Sequence, residues 1–119
     1  MNRTEMINYK GKSIVILDLS RCPPEETMKV LPVAQTLIMK FPSKSALVLT
    51  DVTDATYNKE VASAIKDFVI KYTPYIKASA VVGADGVRNV LLQTVIMVTR
   101  REMKSFDERD KAKEWLASH

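Results

Sequence analysis

The chain has one cysteine and one histidine, and each scarcity removes a class of chemistry. Cys22 alone excludes an intrachain disulfide, and with no histidine partner to assign to it, it reads as a small core residue rather than a thiol nucleophile. His119 is the last residue, where fraying is expected, and makes a poor base or metal ligand. Among the three glycines, Gly83 and Gly86 bracket Gly83-Ala84-Asp85-Gly86, which lacks both the G-x-G-x-x-G spacing and the lysine of a P-loop and reads as a tight turn with a cap. No apolar run approaches the roughly 20 residues that span a bilayer; the longest, 90–98, is broken by Gln93 and Thr94. Nothing in 1–12 resembles a signal peptide, so a cytoplasmic location is expected. Charge of one sign is scarce as well. The 18 basic residues alternate with 14 acidic ones, and the tightest basic group, Arg100-Arg101 with Lys104, is interrupted by Glu102. Without a basic stripe interleaved with aromatics, nucleic acid is not an expected partner.

What is present is an alternation of short apolar runs and amphipathic stretches over 119 residues, a length that suits one domain, 1–119. Runs 6–9 and 13–17 flank Lys10-Gly11-Lys12 and predict a hairpin, the second strand covered on both faces. Pro23 and Pro24 open a helix expected to reach about Lys40, with a kink or false start at Pro32. A strand at 46–49 follows, then a helix over 58–72 with Val61, Ile65, Phe68 and Tyr72 on one face. The run 78–82 predicts a strand and 86–99 a helix whose apolar residues cover nearly its whole circumference. A strand at 103–106 precedes Asp107, expected to cap a last helix carrying Ala112, Trp115 and Leu116.

The run Ala78-Ser-Ala-Val-Val-Gly-Ala-Asp-Gly86, the apolar stretch after it and the closing Phe106-Asp-Glu-Arg-Asp-Lys-Ala-Lys-Glu-Trp-Leu116 resemble bacterial proteins of the SpoIIAA-like group, the STAS or Sec14-type domains. Tyr9-Lys-Gly-Lys12 and Leu47-Val-Leu-Thr-Asp-Val-Thr53 extend the likeness over nearly the whole chain. The resemblance implies a β-α superhelix of α/β class, with a mixed, mainly parallel sheet of about five strands and about four helices, as the alternation already suggests. It also implies a regulatory role. In the anti-sigma-factor antagonists of this fold a partner kinase phosphorylates a serine within an Asp-Ser-Ser/Ala-Gly type motif. The matching stretch here is Asp54-Ala-Thr-Tyr-Asn58, which keeps an aspartate and offers Thr56 but lacks the serine and the following glycine.

Polar loops following successive strands gather along one sheet edge in such folds, and this edge is where sites are expected. Around 50–58 the expectation is a partner-docking loop of Asp51, Thr53, Asp54, Thr56, Tyr57 and Asn58, with Thr53 or Thr56 as a phosphoacceptor; the plainer reading makes Asp54, Thr56 and Asn58 turn and capping residues. Asp18, Asp51 and Asp85, with Thr50 and Lys104, are similar to the acidic set of receiver domains, but Leu19-Ser20 stands where the second acidic residue belongs. No metal and no cofactor are therefore expected. Since nothing supplies nucleophile, base and charge stabiliser together, the expected function is a non-catalytic regulatory or protein-interaction module. The alternative is a carrier or sensor of a small apolar or amphipathic ligand beside Val87, Leu91, Leu92, Val95 and Ile96, a surface that would equally suit a homodimer.

Overall fold

In the computed structural model, residues 3–85, 93, 97 and 103–119 are described. Five strands form one sheet in sequence order: β1 (Thr4–Tyr9), β2 (Lys12–Asp18), β3 (Ala46–Asp51), β4 (Ile76–Val82) and β5 (Met103–Phe106). Among the described residues the β1–β2 pair is antiparallel and the other three pairs are parallel. Among the described residues there are three α-helices, α1 (Pro24–Ile38), α2 (Lys59–Tyr72) and α3 (Arg109–Ala117), and a single 3-10 turn, Thr73–Tyr75. The expected helix at 86–99 lies outside the described residues, apart from Gln93 and Met97, which are helical and exposed.

The two faces of the sheet follow from residue parity. In β2, Ile14 and Ile16 point one way and Val15 and Leu17 the other, and parallel pairing carries the alternation across the sheet. One face gathers Ile14, Ile16, Leu47, Leu49, Ala78, Ala80 and Val82 under Ala112 and Leu116 of α3. The opposite face packs Val15, Leu17, Val48 and Ile76 beneath Ala34 and Ile38 of α1 and Tyr72 of α2. With both faces covered, β2 to β4 are apolar on both faces through most of their central positions, and a fully buried Ile or Leu contributes about 1.5–3 kcal/mol.

Element ends show where local rules were overridden. α1 runs through Pro32, so that proline marks neither a start nor a stop, and the helix ends two residues short of Lys40. β1 and β4 each begin two residues before their most β-prone runs, and β3 continues to Asp51, because pairing with a neighbour extends a strand beyond local propensity. Asp107 is not the cap of α3. Glu108 holds that position without a side-chain cap bond, while Asp107 accepts from Lys111 at 3.2 Å. The His119 ring packs edge-on against Trp115 at 4.5 Å, and its Nδ1 lies 2.9 Å from the Trp115 carbonyl oxygen.

Candidate functional site

β2 and β3 end in the same three-residue device. In Asp18-Leu19-Ser20, Asp18 Oδ1 accepts from the Ser20 amide at 3.1 Å and its hydroxyl at 2.5 Å; in Asp51-Val52-Thr53, Asp51 Oδ1 accepts from the Thr53 amide at 3.0 Å and its hydroxyl at 2.7 Å. A carboxylate that bonds a backbone two residues on turns the chain off the strand without spending a glycine. Between each pair, Leu19 and Val52 drop into one apolar cluster with Cys22, Val30, Ala55 and Val81. Cys22 is fully buried there and accepts from the Thr27 hydroxyl at 3.2 Å, as a core residue should.

Backbone bonds join one loop to the next along this carboxyl edge. The amides of Leu19 and Arg21 donate to the carbonyls of Asp51 and Thr53 at 2.8 Å each, Val52 donates to Val82 at 2.8 Å and Gly83 to Phe106 at 3.2 Å. The Thr56 amide returns to the Cys22 carbonyl at 3.1 Å. Arg21 and Asp54 adopt left-handed backbone (φ 54° and 55°), a conformation uncommon outside glycine that this bonding holds in place. Gly83, at φ +80°, lies so close to Thr53 that a Cβ there would stand 2.2 Å from the threonine Oγ1.

Arg109, in the first turn of α3, spans the rim. Its Nε donates to Asp51 Oδ2 at 2.7 Å and its Nη2 lies 3.1 Å from Asp18 Oδ1, so one guanidinium ties the last helix to two strand ends. Burial alone would raise the pKa of Asp51, whose side chain is only 9% exposed. The Thr53 hydroxyl and amide and the Arg109 guanidinium outweigh that effect and hold the carboxyl below its ordinary value. Desolvation likewise opposes the charge on Arg109, and its bonds to Asp51 and Asp18 raise its pKa nonetheless. Arg3 secures the first loop from the other side, donating to the carbonyls of Asp18 and Ser20 at 3.0 Å each and to Glu26 Oε1 at 2.8 Å.

The six candidate loop residues thus divide by role. Asp51 and Thr53 are bonded to each other, Asn58 caps α2 by accepting from the Val61 amide at 2.8 Å, and Tyr57 packs against the Leu19–Val52 cluster. Asp54 and Thr56 are exposed, and the Thr56 hydroxyl has no bond to any described residue. Of the three aspartates expected near one edge, Asp18 and Asp51 are paired in register and bridged by Arg109, while Asp85 lines a separate cleft with Thr53, Gly83, Ser105 and Asp107. Among the described residues no group of three His, Cys, Asp or Glu side chains could hold a metal ion. The apolar candidates Val87, Leu91, Leu92, Val95 and Ile96 lie outside the described residues. Sequence reasoning missed Arg109, although a cation in the first turn of a helix opposes the macrodipole and is itself a sign of a tertiary partner.

Comparison with curated proteins gives no match. Among solved structures, the chain is similar to an uncharacterised protein with a SpoIIAA-like fold from Shewanella loihica, with a TM-score of 0.76 and 15% identity over 95% of this chain and 91% of that one. It is also similar to an anti-sigma-factor antagonist (STAS) domain protein from Planctomyces limnophilus, with a TM-score of 0.65 and 10% identity over 96% and 97% of the two chains. At such identities these likenesses speak for the fold. Residues 21–117 match the SpoIIAA-like family, a span that takes in β3 to β5 and all three helices, and the chain belongs to that family.

Proposed function

We propose that the protein is a non-catalytic regulatory module that binds a protein partner through the exposed part of the 50–58 loop and the start of α2. The observation that carries this reading is the contrast within the loop. Its inner residues are tied to the sheet and to Arg109, whereas Asp54 and Thr56 stand exposed on that fixed base. A surface fixed before binding loses little conformational freedom on docking. The committed state of Asp51 supports the absence of catalysis: a carboxylate held ionised by three donors is a poor proton acceptor. The family membership and the STAS-domain neighbour favour the regulatory class, and the cytoplasm is the compartment where such a module would work. Thr56 is the better phosphoacceptor of the two threonines, because the Thr53 hydroxyl already donates to Asp51.

The test places a photo-crosslinking residue at Thr56 or, as control, at Lys77 on the opposite sheet edge, in cells of the natural host. A discrete protein adduct is expected from position 56 and not from 77. Equal labelling at both, or turnover of a substrate that Asp51→Asn abolishes without unfolding, overturns the reading. A second reading, a small apolar ligand or second copy against the 87–98 surface, is favoured by one described residue, Met97, at 79% exposed. Native mass spectrometry showing a retained lipid-sized mass would support the carrier, and a mass of two chains the dimer.

A further inference from the structure

The sheet edge opposite the rim carries a cluster of lysines. Lys12 at the start of β2, Lys44 in the loop before β3 and Lys77 at the start of β4 border one groove of about 360 Å³, whose wall also includes Ser13, Phe41 and His119. The three lysines are exposed, and none makes an ion pair or a hydrogen bond through its ammonium among the described residues. Two described lysines elsewhere do form ion pairs, Lys10 with Glu114 and Lys111 with Asp107 and Glu108. No carboxylate side chain of a described residue lines the groove.

Lys44 is fixed in this position by its backbone. It adopts φ 53°, and its amide donates to the Pro74 carbonyl at 2.9 Å, while the next amide, of Ser45, donates to Tyr75 at 3.2 Å. A glycine would take that conformation freely, whereas a side chain there costs about 1 kcal/mol.

We propose that this groove is a phosphate site, taking a compact anion of at least two charges borne by a small phosphorylated molecule or a lipid headgroup. Lysines act on phosphate as point charges, the Ser13 hydroxyl can donate, and Phe41 gives the organic part an apolar wall. The groove falls within the about 300–1,000 Å³ range of small-ligand sites. Three lysines around one small groove match a compact anion, whereas an extended acidic peptide or nucleic-acid strand would need cations continuing beyond it.

The full chain, titrated with inorganic pyrophosphate and followed by ¹H–¹⁵N NMR, should show saturating shifts at Gly11, Lys12, Lys44 and Lys77 and none at Lys59 or Lys71 on α2. Lys12→Ala and Lys77→Ala should each weaken binding by about tenfold, as loss of a charge-assisted contact does. Lys44→Gly keeps the left-handed backbone and removes the charged side chain, so it should weaken binding without lowering Tm. Cosedimentation with phosphatidylglycerol vesicles separates the two sources. Lysine-dependent sedimentation identifies a headgroup, and saturable pyrophosphate binding without it identifies a soluble ligand. The proposal fails if neither occurs, if shifts spread over all surface lysines, or if Lys44→Gly binds as the parent does.

Discussion

Arg109 decides how firmly the rim is held, and its two contacts are unequal. The Asp18 pair is about one-third exposed on both sides (37% and 34%) and is worth at most about 1 kcal/mol after solvent screening. Asp51 is 9% exposed, so Arg109→Met should strand a nearly buried carboxylate and cost about 2 kcal/mol in urea unfolding, below the about 3–5 kcal/mol of a fully buried pair. Asp18→Asn should cost less. The pH dependence follows from the lowered pKa of Asp51: the contribution is complete above the unfolded value near pH 4 and is lost as pH falls through the folded one. Asp107 and Glu114, lowered by Lys111 and Lys10, act in the same direction but lie at the surface, where salt screens them. Asp51→Asn should therefore flatten the acid limb of stability even in high salt; parallel limbs for variant and parent would dismiss the held carboxylate. The aspartates were legible from their place after apolar strands. Their partner was not, because it lies 58 residues away from Asp51 in sequence and no local spacing encodes that contact.

Helix boundaries were readable where a side chain does the capping and unreadable where it does not. Asn58 bonds the third amide of α2, as its place before an amphipathic run suggests, and Asn58→Ala should cost about 1 kcal/mol by thermal or urea unfolding. Asp107 is also a capping-prone residue before a helix, yet the helix begins one residue later than an Asp107 cap would set, and its first residue, Arg109, reaches the rim. Asp107→Ala should accordingly change stability much less than Asn58→Ala, whereas an Asp107 cap would make the two losses similar. The far end of α3 is held by packing and polar contact together: Leu116 is fully buried, and Glu114 accepts from the Tyr9 hydroxyl at 2.7 Å and pairs with Lys10. The short helix thereby joins both ends of the β1–β2 strand pair, a role that its modest length in sequence did not announce.

At the scale of the whole molecule, strand order equals sequence order, so each loop at the carboxyl edge neighbours the loop that follows it in the chain. That simplicity made the fold legible: successive apolar runs joined by helical segments leave few topologies, since parallel crossovers are right-handed. What could not be read was how tightly the loops meet. Gly83 shows the degree of contact, because a Cβ there would lie 2.8 and 2.9 Å from the Thr53 Cα and amide nitrogen as well as 2.2 Å from its Oγ1, on a backbone at φ +80°. The side-chain clash alone could be relieved by rotation, but the backbone contacts could not. Gly83→Ala should therefore cost about 2–4 kcal/mol, within the range of strained glycine sites, and speed amide exchange at Val52 and Arg21, whose bonds cross the same rim. Adding Thr53→Ala removes Oγ1 and leaves the backbone contacts, so it should not restore stability. Full rescue by that second substitution would mean the loops yield easily, and a loop that yields would not offer Asp54 and Thr56 to a partner as one fixed surface.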